Sequence, residues 1–249
     1  MPELPASVRV ALWVSHAWSR DLDLEEALAQ ALPDVDIVLG LGEHLSLWRD
    51  LGEPAVYAAL PRPGARGLLP LCGEEALDAA TFVGEAVFAA GLGAVAIPRH
   101  VTFGDQQPGL ALRWEAFGAD PVAVHRLAGV EVAAADRDLR TAVHAAIDTL
   151  EDGGWVDAWQ RERPRAVERE WGLPPELPER MRALVVRAGG ILEIAEAGLE
   201  HAEGSSSADL AAHRRAPLQV LRGVAGSALE AAACAGVCYL AAQSRATRS

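Results

Sequence analysis

Charged side chains on three short predicted strands are the best candidates in this chain for a chemical site. Glycine and proline clusters separate β-rich runs at 81–88, 94–100 and 110–117, which indicates three strands joined by hairpins. If the strands pair in chain order, one face of the sheet could gather Glu85, Arg99, His100, Arg113 and Glu115. Carboxylates beside arginines can bind an anionic small molecule or carry out acid–base chemistry. The alternative is cross-strand ion pairing on a solvated face.

A glycine-rich segment between the first two of these strands matches a nucleotide-binding pattern. Gly91-Leu92-Gly93-Ala94-Val95-Ala96 satisfies G-x-G-x-x-A. That pattern needs a helix to begin at its third small residue, so that the helix N-terminus meets a pyrophosphate. Val95, Ile97 and Pro98 indicate a strand instead. We therefore predict a hairpin turn and no nucleotide cofactor here.

Cysteine and histidine form no standard metal motif, because the seven histidines include neither HxxxH nor HExxH. Cys234 and Cys238 lie four apart on a predicted helix and could face a metal together with His201 or His213. The alternative is two small apolar side chains in an alanine-rich seam. Cys72 could be a nucleophile, but no adjacent base is suggested. We predict no metal and no cofactor.

All 22 basic side chains are arginine, since the sequence contains no lysine. A P-loop lysine, a pyridoxal Schiff base, a kinase-type strand lysine and a Ser-Lys dyad are therefore excluded. The chain also lacks the G-x-S-x-G of a nucleophile elbow. The sequence leans towards a protein that is not an enzyme.

The net charge of -13 lies entirely in the first part of the chain. Residues 1–152 contain 23 acids and 10 arginines, a surplus of 13, while residues 153–249 contain 12 of each. An acidic surface repels phosphate backbones, so we predict no nucleic-acid partner.

Three cysteines are too few for a disulfide scaffold, and the first residues lack the pattern of a signal peptide. We therefore expect a cytoplasmic protein. Residues 224–242 approach the length of a membrane span, but they include Glu230 and consist mostly of small residues. Membrane insertion is not predicted.

The remaining periodicity predicts further helices and strands. Residues 8–14 are apolar at nearly every position and β-branched at three, which indicates a buried strand. Residues 34–39 alternate and then stop alternating, so strand and capped helical turn both stay open. We also predict helices over 24–32, 43–51, 73–80 and 135–151, and strands over 55–60 and 121–132.

Two long predicted helices, 179–203 and 208–243, form a helical hairpin after a connector. The second helix is rich in alanine and glycine, so each residue buries little area and the helix needs a closely fitted partner. That partner is either the first helix or the same hairpin in a second copy.

Three segments carry a resemblance to known sequences: Leu47-Trp48-Arg49-Asp50-Leu51-Gly52-Glu53, Ala59-Leu60-Pro61-Arg62-Pro63-Gly64 and Arg113-Trp114. Through them the chain resembles a group of uncharacterised bacterial proteins over about residues 8–150. The resemblance implies no activity.

The sequence thus predicts an α+β fold, with a mainly antiparallel sheet covered by helices and followed by a C-terminal helical hairpin. The predicted units are a sheet domain at 1–152, a connector at 153–178 with Trp155, Trp159 and Trp171, and the hairpin at 179–249. The leading hypothesis is a non-catalytic protein that binds another protein or itself, as a homodimer through 208–243. The alternative is a binding protein or enzyme for an anionic small molecule, which uses the five strand residues.

Overall fold

A computed structural model describes residues 4–104, 109–151, 172–203 and 208–247. In chain order its elements are α1 Ala6–Arg20, α2 Leu24–Ala31, β1 Ile37–Leu39, α3 Leu41–Asp50, β2 Tyr57–Ala59, α4 Glu74–Val83, β3 Ala86–Ala89, β4 Ala94–Phe103, β5 Gly109–Gly118, α5 Val124–Ala128, α6 Val132–Glu151, α7 Glu179–Glu203 and α8 Ala208–Thr247.

The strands form a five-stranded sheet in the order β1-β5-β4-β3-β2. Strands β2 to β5 pair antiparallel, and β1 runs parallel to β5. The longest ladder joins β4 to β5, from Ala94 opposite Gly118 to Phe103 opposite Gly109. The predicted α+β fold with a mainly antiparallel sheet is therefore confirmed.

Helices cover both faces of the sheet. On one face, Ala96 and Leu112 pack with buried side chains of α1, α2 and α3, including Trp48. On the other face, Phe88 and Ile97 pack with the C-terminal helices. Helix α1 contributes side chains to both clusters, so it ties the two layers together.

The segment 8–14 was predicted as a strand, and this prediction is wrong because it lies inside α1. Twelve of the fifteen residues of α1 are buried. Val8 and Leu12 enter one core, whereas Val10 and Val14 enter the other, and each pair keeps the four-residue spacing of a helix. A helix that is apolar on several sides shows no periodicity that separates it from a buried strand.

Two further strand predictions are wrong in part or whole. Residues 81–83 continue α4, which ends at Gly84 in a left-handed conformation with φ 85°, so β3 begins only at Ala86. The segment 121–132 contains helix α5, whose Leu127 is buried and whose carbonyl accepts a hydrogen bond from the Cys234 thiol. The apolar residues of this segment alternate only weakly, and its packing against α8 stabilises a helix instead of a strand.

The undecided segment 34–39 contains strand β1. The other predicted helices and strands are present with shifted ends. Most of the predicted connector, with Trp155, Trp159 and Trp171, lies outside the described residues, and the division of the chain at residue 152 stays a prediction.

The small residues of α8 find their partner inside the chain. Ala225, Ala228 and Ala232 are fully or almost fully buried, and α8 packs against α1, α6 and α7. Its stretch Arg215–Gln243 has the length and hydropathy of a membrane span, but 67% of the most apolar window is buried within the protein. A core helix of a soluble protein passes the same test. A dimer through 208–243 stays a prediction, although the need for an external partner no longer motivates it.

The Gly91 to Gly93 segment is the predicted turn, and a buried carboxylate occupies its backbone donors. Glu53 is 7% exposed, and its carboxylate accepts the backbone N–H of Leu92. Burial raises the pKa of Glu53, while hydrogen bonds from Leu92 and Gly91 lower it. Gly93 has φ 65°, and a Cβ there would lie 2.3 Å from the Ala119 carbonyl oxygen.

We expect Gly93→Ala to lower the free energy of unfolding by about 2–3 kcal/mol, because it combines a left-handed φ with a clash against fixed backbone. Gly42→Ala is the matched control, since this glycine lies in α3 with no atom within 4 Å of the added Cβ. Its effect should lie within about 1 kcal/mol and favour stability. Urea unfolding measures both, and equal effects would contradict the strained turn.

Candidate functional site

A cavity of about 630 Å³ lies where the N-terminus of α1, the end of α4 and the strands meet α7 and α8. We call it the Glu85 cavity. Apolar side chains line part of its wall, including Leu4, Leu60 and Leu192. Its titratable side chains come from distant parts of the chain: Arg9, Asp34, Arg62, Glu85, His100, Glu193, Glu196 and Arg222. This mixture resembles a ligand site more than a packing defect.

Glu85 is the most buried carboxylate of the cavity, at 8% exposure. It follows Gly84, whose left-handed conformation ends α4 and turns the chain towards β3. Its Oε2 accepts the Ser7 backbone N–H at 2.7 Å, in the first turn of α1. Negative charge at a helix N-terminus is stabilised by the helix dipole and unpaired N–H groups.

Burial raises the pKa of Glu85, and this effect exceeds the opposing ones. Hydrogen bonding from Ser7 and the nearby charges of His100 and Arg9 lower the pKa. Glu85 is therefore a carboxyl group that holds its proton to a higher pH than usual, in contact with a cavity. Such groups are common at functional sites, although structural ion-pair networks also produce them.

Arg9 and Asp34 form an ion pair through two hydrogen bonds on the cavity wall. The second of these, from Nη2 to Oδ2, measures 3.2 Å. The side chains of Arg9 and Asp34 are 11% and 31% exposed, so the pair is partly shielded, and it holds the loop after α2 against α1.

The proline-rich loop that carries Arg62 is fixed by a second buried carboxylate. Glu230 is 6% exposed, and its Oε1 accepts the backbone N–H groups of Leu60 at 2.8 Å and Leu68 at 2.9 Å. Burial raises the pKa of Glu230, and these two donors and Arg62 lower it. Arg62 then lies over α8 and donates to the Ser227 hydroxyl at 3.0 Å.

The C-terminal helices supply the facing carboxylate. Glu196 of α7 has an exposed side chain, but neighbouring atoms reduce the hydration of its carboxylate and raise its pKa. The positive charge of Arg222 lowers that pKa, whereas the negative charges of Glu200 and Glu85 raise it. Glu85 and Glu196 both line the cavity.

Strand alternation divides the five residues predicted as a ligand site. His100 lies opposite Leu112, and both line the Glu85 cavity with Glu85. Arg99 lies opposite Arg113 on the other face, where Arg99 Nη2 is 2.9 Å from Glu115 Oε2. The structure therefore brings Glu85 and His100 together and separates Arg99, Arg113 and Glu115 from them.

Sequence reasoning missed the arginines and the distant acids of the cavity. Arg9 stands in an apolar run that was predicted as a strand, and a charge in such a run was the available signal. Arg62 lies in a proline-rich loop without a recognisable chemical motif. Asp34, Glu196 and Arg222 carry no local signal, because helix packing alone brings them to the cavity.

The surroundings of the candidate cysteines favour a structural role. Burial raises the pKa of the Cys72 thiol, which leaves less of the reactive thiolate. Cys234 is fully buried, and its pKa is raised by the neighbouring Cys238 and by burial. Among the residues that the structure describes, no three His, Cys, Asp or Glu residues form a metal-binding group. The side chains of His201 and His213 lie outside the described set.

Two family models match almost the whole chain. The N-terminal domain of the Rv1486c-like protein matches residues 7–127, and the C-terminal domain matches residues 133–230. The chain belongs to the Rv1486c-like protein family. The resemblance to uncharacterised bacterial proteins is thereby confirmed. Neither the curated proteins nor the solved structures contain a match.

The two domains of the Rv1486c-like family meet at the Glu85 cavity. Their boundary falls before α6, and α6 packs against α8. The N-terminal domain supplies Arg9, Glu85 and His100, while the C-terminal domain supplies Glu196 and Arg222. Binding sites are often found between domains.

We expect Glu85→Gln to change the pH dependence of stability. The folded chain binds the Glu85 proton more tightly than the unfolded chain, so wild-type stability falls as pH rises from about 4.5 through the higher folded pKa. The variant cannot ionise and keeps an oxygen acceptor for Ser7. The free energy of unfolding of the variant, measured relative to that of wild type, should therefore increase by on the order of 1 kcal/mol between acidic and neutral pH.

Urea unfolding at several pH values measures this difference. Glu115→Gln is the control, since Glu115 forms a partly exposed ion pair and the change should be small at every pH. A Glu85→Gln difference that stays constant with pH would contradict the raised pKa.

Proposed function

We propose that this protein binds a small molecule in the Glu85 cavity. The observation that supports the proposal is a buried, raised-pKa carboxylate on a cavity of about 630 Å³ that both family domains line. This volume lies within the range of small-molecule sites, which is about 300–1,000 Å³. Its wall combines apolar side chains with a few fixed polar groups, as ligand recognition requires.

The polar groups are held in place before any ligand arrives. Glu85 is fixed by Ser7, Arg9 by Asp34, and the Arg62 loop by Glu230. Pre-organised groups lose less conformational entropy on binding, so this arrangement favours recognition of a defined ligand.

A cavity-filling variant tests the proposal. Leu192 lines the cavity from α7, so Leu192→Trp should occupy ligand space. Ile194→Trp places the same bulk two residues along the same helix, about 200° around its axis and outside the cavity lining. Ligand-observed NMR with a library of small cationic, neutral and anionic fragments should show binding to wild type and to Ile194→Trp, with loss in Leu192→Trp. Absence of binding, or equal binding to both variants, would overturn the proposal.

Self-association is a second candidate, favoured by an exposed patch on the sheet. Four apolar side chains of β1 and β4 are each 38% to 41% exposed, beside Arg99 and Arg113. The pairing register places Ile37 and Val101 on either side of Ala111, and Leu39 next to Arg113. We call the surface formed by Ile37, Leu39, Val101, Phe103, Arg99 and Arg113 the exposed sheet patch.

The occupant that we propose for this patch is a second copy of the chain. Arg113 and Glu115 lie two residues apart on one face of β5. A two-fold arrangement would place Arg113 of each copy near Glu115 of the other, while the apolar rows meet between them.

Size-exclusion chromatography with light scattering should show a mass that rises towards a dimer with concentration. Val101→Glu should return the protein to a monomer, because it places like charges in the interface. Leu47→Glu is the control, since Leu47 is 54% exposed on α3, outside the patch. A wild-type monomer at every concentration would exclude this candidate.

A further inference from the structure

Two carboxylates from different family domains line the Glu85 cavity. Glu85 leads into β3 in the N-terminal domain, and Glu196 lies on α7 in the C-terminal domain. The negative charge of Glu85 raises the pKa of Glu196. Two like charges that share a site favour the uptake of a proton or another cation between them.

Glu85 retains hydrogen-bonding capacity towards the cavity. Its Oε2 accepts the Ser7 N–H, and apart from Ser7 no described residue donates a hydrogen bond to its carboxylate. A carboxylate has about four lone-pair positions, so Oε1 can accept further N–H donors. At 8% exposure, Glu85 is too buried for bulk water to supply them freely.

An aromatic ring stands at the rim of the same cavity. Phe82 lies in the last turn of α4 and lines the cavity, yet it is 92% exposed. Core packing does not account for so exposed a phenylalanine. Its ring can contact a cation through the ring face, or cover the apolar part of a ligand.

The arginines of the cavity are already engaged with protein groups. Arg9 forms two hydrogen bonds with Asp34, and Arg62 donates to Ser227. Arg222 lies near Glu196 and lowers its pKa. The sequence alternative of an anionic ligand depended mainly on Arg99 and Arg113, which lie on the other face of the sheet.

We propose that the Glu85 cavity binds a small organic molecule that carries a protonated amine, whose N–H groups donate to Glu85 Oε1 and whose charge lies between Glu85 and Glu196. The apolar part of the molecule rests against Phe82 and Leu192. This inference rests on the proposed small-molecule function and specifies its ligand class. A quaternary ammonium ion has no N–H to donate, so it cannot form the hydrogen bond to Glu85.

Four compounds with the same ring test the ligand class in isothermal titration calorimetry: benzylamine, benzyl alcohol, benzoate and benzyltrimethylammonium. At neutral pH benzylamine is a cation, and it should bind at least about tenfold more tightly than the alcohol or benzoate. The quaternary ion should bind more weakly than benzylamine, because it lacks the hydrogen bond to Glu85.

Two variants test the carboxylates. Glu85→Gln keeps the acceptor for Ser7, and Glu196→Gln changes an exposed residue, so both are expected to fold, which thermal unfolding checks. Each should weaken benzylamine binding by about fivefold or more and weaken benzyl alcohol binding by less, because the alcohol carries no charge. Glu115→Gln, on the opposite face of the sheet, should leave benzylamine binding within about twofold.

The outcomes separate the ligand class from the function itself. If benzoate binds best and Arg222→Gln abolishes its binding, the amine assignment is overturned while the cavity still binds small molecules. Equal binding of the quaternary ion and benzylamine overturns the role of Glu85 as an acceptor. If none of the four compounds binds while library fragments bind in a Leu192→Trp-sensitive manner, only the amine assignment fails. If no fragment binds either, both proposals fail.

Discussion

Three buried glutamates, each of which accepts backbone N–H groups from a distant segment, hold the fold together. Glu230 binds the chain on both sides of the proline-rich loop to α8, Glu85 binds the first turn of α1, and Glu53 binds the turn before β4. A buried carboxylate without hydrogen-bond partners is unfavourable. Replacement of the glutamate would in turn leave the buried backbone N–H groups without an acceptor. Each glutamate is therefore satisfied only when the distant segment that donates to it is packed in its native position.

The same contacts explain why a polar cavity survives between the layers. Burial raises the pKa values of all three glutamates, so each is held against a desolvation penalty by a small number of directed hydrogen bonds. Glu53 and Glu230 are enclosed by the segments that they fix. Glu85 differs because it lines the cavity, where the carboxylate retains capacity for another donor.

The cavity also depends on how closely α8 approaches the N-terminal domain. Gly223 and Gly226 lie beneath Arg62, whose guanidinium is 3.5 to 3.7 Å from the positions that their Cβ atoms would take. A methyl group would fit at either position in van der Waals contact, whereas a longer side chain would move the arginine and the loop that carries it. The alanine and glycine content of α8 thus serves two purposes, dense packing with α1, α6 and α7 and room for the cavity wall. Of the two partners that the composition left open, packing within the chain accounts for these small residues.

The sequence by itself determined the α+β class, the antiparallel hairpins of β3 to β5 and the helical hairpin at the C-terminus, because these follow from local glycine turns and from periodicity. It also excluded chemistry that needs lysine. It could not show that residues 8–14 form a helix, since α1 buries side chains in two cores and loses its helical signature. Two of the five residues predicted as a site, Glu85 and His100, lie together at the cavity. The other three, Arg99, Arg113 and Glu115, lie on the opposite face of the sheet, because side chains alternate between the two faces along β4 and β5. Only the tertiary structure brought Arg9, Glu196 and Arg222 to Glu85, because they are far apart in the chain and meet through the packing of α1, α7 and α8 against the sheet.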